Sequence, residues 1–342
     1  MSEGPAVLLR DHTTLRVGGP ARHWVEATTE AELLAAVTAA EDRGEPVLVL
    51  GGGSNLLVGD DGVPGTVVKV ATRGIREDVD TCSGATVTVA AGEEWDALVA
   101  HAVARGWVGV ETLAGIPGSV GAVPVQNVGA YGAEVAQVIA RVRAYDRHER
   151  RVVTRSAPEC GFGYRTSVFK AEPDRHVVLD VTFQLRLGDL SAPVAYAELA
   201  RTLGVAEGAR APLAQVREAV LGLRRGKGMV LDAADHDTWS AGSFFTNPVL
   251  PPDAVPAGAP AWPQPDGRVK TSAAWLIEHA GFARGHGAGR ATLSTKHTLA
   301  LTNRGAAAAS DVLALAREVR DGVRSRFGID LDPEPVLVGC AL

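Results

Sequence analysis

Two glycine-rich runs carry the first chemistry legible in this sequence. Leu50-Gly51-Gly52-Gly53-Ser54-Asn55-Leu56-Leu57-Val58 sets three glycines directly after an apolar strand pattern. Backbone N–H groups in such a loop can approach an anion closely, which is how proteins hold pyrophosphates. The second run, Gly115-Ile116-Pro117-Gly118-Ser119-Val120-Gly121-Ala122, leads into Gln126-Asn127-Val128-Gly129-Ala130-Tyr131-Gly132. Either run alone could be a turn or a structural loop. Together they suit opposite sides of one extended, diphosphate-containing cofactor. A Rossmann fingerprint would need a helix to open at the first run. Leu56-Leu57-Val58 instead continues as a strand that Gly59-Asp60-Asp61-Gly62 ends, so that fingerprint fits poorly. A third stretch, Ser240-Ala241-Gly242-Ser243-Phe244-Phe245-Thr246-Asn247-Pro248, places Ser243 between a glycine and two phenylalanines. On its own, Ser243 is a turn or N-cap serine.

The elements that must position these residues follow from periodicity. Thr29-Glu30-Ala31-Glu32 is a capping box opening a helix to Arg43, with Gly44 as its stop and a strand at Val47-Leu48-Val49-Leu50. Val87–Ala90 is a strand and Glu93–Ala104 a helix ending at Gly106, while Val138–Tyr145 and Val177–Leu187 alternate as strands. Beyond residue 212 the expectation is a helix from Pro212 to Leu223 and a Pro-, Gly- and Ala-rich loop from Pro248 to Gly267. A short capped helix from Ser272 to Ala280 follows. A last helix is capped by Ser310, with Val312, Leu315, Val319 and Val323 on one face. The fold class is α+β, with a small N-terminal domain, a larger middle one and a C-terminal one.

Composition excludes several classes. The chain has 342 residues, 46% hydrophobic and 22% charged, which is enough to bury a sizeable core. A net charge of −6 leaves no basic footprint for nucleic acid, and no apolar run reaches membrane-spanning length. The opening Met1-Ser2-Glu3-Gly4-Pro5 has no signal-peptide pattern, so a cytoplasmic location is expected. Cys82, Cys160 and Cys340 lack metal-ligand spacing and are expected to be reduced, buried and inert; no metal site is expected.

Taken in order, Thr14-Leu15-Arg16-Val17-Gly18-Gly19, GGGSNLLV, GIPGSVGAVPVQNVGAYG, FGYR, AGSFFTNP and the C-terminal LDPEPVLVG resemble the UDP-N-acetylenolpyruvoylglucosamine reductase family over nearly the whole chain. AGSFFTNP together with GAVPVQNVGAYG is the most specific part. The resemblance implies a three-domain architecture. Two domains, 1–72 and 73–222 completed by 328–342, would form an FAD-binding fold of the vanillyl-alcohol-oxidase type, and 223–327 an α+β substrate-binding domain. It implies non-covalent FAD, NADPH as co-substrate and reduction of an enolpyruvyl UDP-sugar to UDP-N-acetylmuramate in peptidoglycan synthesis. No obligate protein partner is implied.

By the same resemblance, Ser243 is the proton donor, Arg165 the group that stabilises the enolate, and Glu334 the glutamate that assists protonation. A guanidinium can grip a carboxylate with two hydrogen bonds and stays charged at any working pH. Asp332 is the rival of Glu334, and the choice rests on the match to the proline-flanked glutamate. Gly51, Gly52, Gly53, Ser54 and Asn55, with Pro117, Gly118, Ser119, Gly121, Ala122 and Gly129, are the expected cofactor contacts. Tyr196, Lys227, Asn247 and His297 are the expected substrate contacts, and the insertion before Tyr196 marks the longer of the family's two types. Two departures stand out: a long segment from Lys227 to Ser243, and Trp262 where some members carry tyrosine. A flavin oxidase of the same fold and a non-catalytic nucleotide-sugar or dinucleotide binder are the rival functions.

Overall fold

A computed structural model of the protein describes residues 6–342. The chain forms two compact units. One comprises His23–Gly52 and Gly65–Gly226; the other is assembled from Met1–Arg22 (described from residue 6), Gly53–Pro64 and Lys227–Leu342.

The first unit is built on an antiparallel sheet. Its strands follow the order Arg151–Ser156, Ile139–Asp146, His176–Leu187, Gly84–Ala90, Ile75–Asp80, and Trp107–Val108 joins His176–Leu187 near that strand's end. The register pairs Val181 with Val89 and Phe183 with Val87, so buried β-branched and aromatic side chains line up across neighbouring strands. Helix α1 (Glu30–Asp42) starts where expected. Thr29 accepts from the Glu32 N–H, and the Glu32 carboxylate accepts from the Thr29 N–H. It is followed by Val47–Leu50, which runs parallel to Val63–Val70 with Leu50 opposite Lys69. Helix α2 (Trp95–Ala104) buries Trp95, whose ring lies 5.9 Å from Phe183 and whose indole N–H donates to the Leu113 carbonyl at 3.0 Å. The helix begins two residues later than expected, because Glu94 is extended. Short α3 (Val168–Ala171) and α4 (Ala197–Leu203) follow, then α5 (Leu213–Gly226), which runs three residues past its expected end and takes in Arg224 and Arg225.

The second unit packs α6 (Ala273–His279) and α7 (Ala309–Phe327) with the hairpin Ala291–Leu293/Leu301–Asn303 around one core. Leu57, Phe244, Phe245, Leu276, Leu293, Val312 and Val319 are at most 1% exposed there. Burying one such side chain contributes about 1.5–3 kcal/mol, so the two phenylalanines beside Ser243 act as anchors. Val336–Val338 lies parallel to Leu56–Val58; the tail expected to return to the middle domain thus adds its strand to a segment of the first.

Three local expectations are corrected. Ser310 lies inside α7, which starts one residue earlier; its first N–H groups, of Ala309 and Ser310, are taken by the Asp60 carboxylate at 2.6 and 3.0 Å. The Pro-rich stretch after Pro248 contains strands Val249–Leu250 and Ala261–Pro263, which flank Val269–Thr271 in a small sheet. Only Cys160 of the three cysteines is buried; Cys82 is exposed and Cys340 half-buried, and all three are free thiols.

Candidate functional site

The expected site residues divide between the two units. Gly51, Gly52, Pro117, Gly118, Ser119, Gly121, Ala122, Gly129, Arg165 and Tyr196 lie in the sheet-based unit. Gly53, Ser54, Asn55, Lys227, Ser243, Asn247, His297 and Glu334 lie in the other.

In the first unit the two glycine runs touch. A Cβ added to Gly52 would fall 2.5 Å from the Gly118 Cα, and one on Gly51 would fall 2.4 Å from the Ser119 hydroxyl. Side chains are thus excluded where the loops meet, which is what close approach of backbone to a diphosphate requires. The second run is pinned by its neighbours. Val120 and Gly121 donate to the carbonyls of Glu93 and Ala91, both at 2.8 Å, and the Trp95 N–H donates to Gly118. Asp96, in the first turn of α2, takes the Gly115 N–H at 2.6 Å and a two-pronged ion pair from Arg217 of α5 at 2.7 and 2.9 Å. Burial would raise the Asp96 carboxyl, but Arg217 and the Gly115 N–H hold it below its ordinary value.

Lys69 adds a charge that sequence reasoning missed. Its half-buried ammonium donates to the Gly51 carbonyl, with desolvation lowering its pKa. A lysine in a β-strand carries no local signal of this; only the parallel pairing of Leu50 with Lys69 shows it. A glycine cradle next to one ammonium fits a diphosphate-bearing cofactor.

Arg165 sits in a tight turn in which Gly163 and Thr166 exchange hydrogen bonds, and its φ of 52° is uncommon for a residue with a long side chain. Its guanidinium donates to the carbonyls of Gly129 at 2.7 Å and Asn127 at 3.3 Å. Gly129, expected at the cofactor, therefore also braces Arg165. Tyr196 precedes α4 and is 43% exposed; its ring meets Tyr131 edge-on at 5.4 Å. Burial pushes the Tyr131 phenol up to about 12.

In the second unit the serine loop is held from several sides. The Phe244 N–H donates to Leu299 at 2.7 Å, and the Phe244 carbonyl accepts from the Glu334 N–H at 2.8 Å. The backbones next to Ser243 and at Glu334 thereby lie side by side, extended by the bridge between Phe245 and Pro333. The Asn55 amide donates to the Glu334 carbonyl at 3.2 Å, and Val336 N–H donates back to Asn55 at 2.9 Å. Glu334 is half-buried where Asp332 is exposed, and the chain bends at Glu334, so the two carboxylates have different surroundings. The early Thr14-Leu15-Arg16 motif also finds its purpose here. Thr14 donates to the Ser240 carbonyl at 2.7 Å, and the Arg16 guanidinium stacks 4.0 Å from the Trp239 ring. Asn303 fastens the same motif by donating to the carbonyls of Leu15 and Arg16.

The long link after Lys227 is braced as well. Lys227 lies in the turn that ends α5. Asp237, 5% exposed, accepts from the Thr295 N–H and hydroxyl at 2.9 and 2.6 Å and from Arg304 at 3.0 Å, while Lys296 pairs with Asp235 at 2.5 Å. Those contacts fix the loop that carries His297, whose carbonyl accepts from Ala300 and whose neighbour Leu299 holds Phe244. Asn247 uses its carboxamide oxygen to accept the Ala273 N–H at 2.9 Å, tying the serine loop to α6. Trp262 lies on the small sheet, 45% exposed. Among the described residues no cluster could hold a metal ion, and no helix is long and apolar enough to cross a membrane.

Residues 21–156 match the model of an FAD binding domain, and residues 234–338 match the model of the UDP-N-acetylenolpyruvoylglucosamine reductase C-terminal domain. A UDP-N-acetylenolpyruvoylglucosamine reductase of Cutibacterium acnes is 61% identical over 100% of this chain and 92% of its own length. One from Streptomyces avermitilis is 57% identical over 96% of this chain and 93% of its own. The crystal structure of the Thermus caldophilus UDP-N-acetylenolpyruvylglucosamine reductase superposes with a TM-score of 0.68 at 29% identity, covering 98% of each chain.

Proposed function

The chain belongs to the UDP-N-acetylenolpyruvoylglucosamine reductase family, and from that premise we propose how its own residues carry the reaction. It is an FAD-dependent oxidoreductase of peptidoglycan precursor synthesis, acting on UDP-N-acetylglucosamine enolpyruvate. FAD, held by the two glycine loops, would supply the redox chemistry, hydride transfer from NADPH to the substrate's terminal alkene carbon. The chain's residues do the rest. Hydride addition leaves negative charge on the neighbouring carbon, delocalised into its carboxylate. Arg165 binds that carboxylate and stabilises the charge. Ser243 gives its hydroxyl proton to the carbon, with Glu334 assisting, and the hydroxyl is reprotonated afterwards. A serine hydroxyl is a weak acid, so it must be held against a strongly basic carbanion. Gly51, Gly52, Gly53, Ser54, Asn55 and the Pro117–Ala122 loop hold the cofactor. Tyr196, Lys227, Asn247 and His297 meet the substrate. The division 1–72, 73–222 and 223–327 enters the same proposal, the first two parts holding cofactor and the third the substrate.

The observation that best supports this reading is the hydrogen bond from the Glu334 N–H to the Phe244 carbonyl, which sets the glutamate's backbone beside the residue that follows Ser243. The test separates the half-reactions. Under anaerobic conditions NADPH should bleach the flavin bands of Ser243→Ala at the wild-type rate, while substrate should restore them about 10²- to 10⁴-fold more slowly. Restoration at the wild-type rate would remove Ser243 from the role of acid. Bands that return only with oxygen in the wild type would point to an oxidase.

A further inference from the structure

We propose that Asn127 is the positioning residue for Arg165, setting the direction in which the guanidinium presents its charge to the substrate carboxylate. This rests on the role given to Arg165 above. Two carbonyls that receive the Arg165 guanidinium, those of Asn127 and Gly129, belong to one short stretch. What fixes that stretch is the Asn127 side chain, which is 1% exposed. Its amide nitrogen donates to the Glu134 carboxylate at 2.8 Å and to the Gly163 carbonyl at 3.1 Å, and its oxygen accepts from the Ala136 N–H at 3.1 Å. One carboxamide therefore clamps the arginine's acceptors and the turn, Gly163 to Thr166, from which the arginine springs. Glu134 is itself held, since its strand pairs Glu134 with Gly129.

No other residue type meets these demands. The φ of Asn127 is 47°, a region where asparagine, aspartate and glycine are tolerated and most side chains are strained. Aspartate would set a second carboxylate against Glu134 and lose the donor to Gly163. Glycine would keep the backbone but lose all three hydrogen bonds.

The test is a cycle of Asn127→Gly and Arg165→Lys, with each variant checked first for bound FAD and wild-type flavin reduction by NADPH. Asn127→Gly should slow flavin reoxidation by substrate about 100-fold, the usual cost of misplacing a catalytic group by about 1 Å. In the Arg165→Lys background the same change should cost no more than about twofold, the loss of coupling expected of residues that act as a unit. Binding to the oxidised enzyme, read from the flavin spectrum, gives a second readout. Asn127→Gly should weaken the carboxylate-bearing substrate and leave UDP-N-acetylglucosamine, which lacks that carboxylate, unchanged. Equal costs in both backgrounds, or equal weakening of both ligands, would overturn the assignment while leaving Arg165 in place. An Arg165→Lys enzyme as fast as wild type would instead remove the role of Arg165. Should Asn127→Gly fail to fold, Glu134→Ala removes one anchor and must show the same dependence on Arg165; additivity there refutes the proposal equally.

Discussion

Gly52→Ala tests the cofactor cradle most directly. Gly52 lacks the positive φ of Gly53, so alanine suits its backbone and the only obstacle is space. The new methyl would lie 2.5 Å from the Gly118 Cα, 2.9 Å from its carbonyl carbon and 3.1 Å from the Ser119 nitrogen. All three are backbone atoms, and ordinary contact begins near 3.4 Å, so the two loops must part by roughly 1 Å. A displacement of that size costs about 100-fold where groups must converge on one ligand. Wild-type protein at an FAD concentration of 100 Kd gains about 2.7 kcal/mol of stability from binding; a variant with a 100-fold weaker Kd would keep only about 0.4 kcal/mol. Fluorescence titration of the deflavinated protein measures Kd, and melting with and without FAD measures the stabilisation. Two companions calibrate the result. Gly51→Ala comes too close only to the Ser119 hydroxyl, which can rotate away, and its other neighbours lie at an ordinary 3.7 Å, so its loss should be smaller. Gly222→Ala, on α5 with nothing within 4 Å, should leave Kd unchanged and raise stability by up to about 1 kcal/mol. Gly52→Ala binding FAD as tightly as wild type would refute the idea that the two glycine loops together form the cradle.

Two further outcomes are expected. Lys69→Met should weaken FAD about tenfold, the worth of one charge-assisted contact, and leave riboflavin, which has no phosphate, unaffected; equal losses would mean that the ammonium only shapes the loop. Asp60→Ala should lower stability by about 1–2 kcal/mol in urea unfolding, because two N–H groups at the start of α7 lose their acceptor. Burial would raise the Asp60 carboxyl, but the Ala309 and Ser310 donors hold it below its ordinary value. A depressed pKa stabilises above the unfolded-state value and is lost as pH falls through the folded one. The gap between wild type and variant should therefore be full at pH 7 and close below about pH 4, and a gap that widens in acid would contradict it.

Local signals carried most of the fold. The Thr29 box, the stop at Gly44 and the alternation in Val138–Tyr145 each place an element within a residue or two, because capping and burial periodicity act over a few residues. Misreadings arose where the partner is distant in sequence. Ser310 looks like a cap, yet Asp60 does that work from 250 residues away. Lys69 and Asn127 are an ordinary strand lysine and loop asparagine until pairing brings them to Gly51 and to Gly163. Ser243, Arg165 and Glu334 are assigned by resemblance alone, since a serine, an arginine and a glutamate carry no chemistry by spacing alone.

The segmented unit also has a temporal cost. Leu56–Val58, with Leu57 and Val58 fully buried, pairs with Val336–Val338 near the other end of the sequence. At about 5–20 residues per second of synthesis, this apolar strand waits roughly 15–60 seconds for its partner. The sheet-based unit is complete in sequence by Gly226 and can close first, carrying residues 53–64 as an unfinished loop. An unpaired apolar strand is an invitation to intermolecular pairing. For the nascent chain, the interval between the sixtieth residue and the last strand is the period of greatest exposure to aggregation, and a chain cut before Val336 never leaves it.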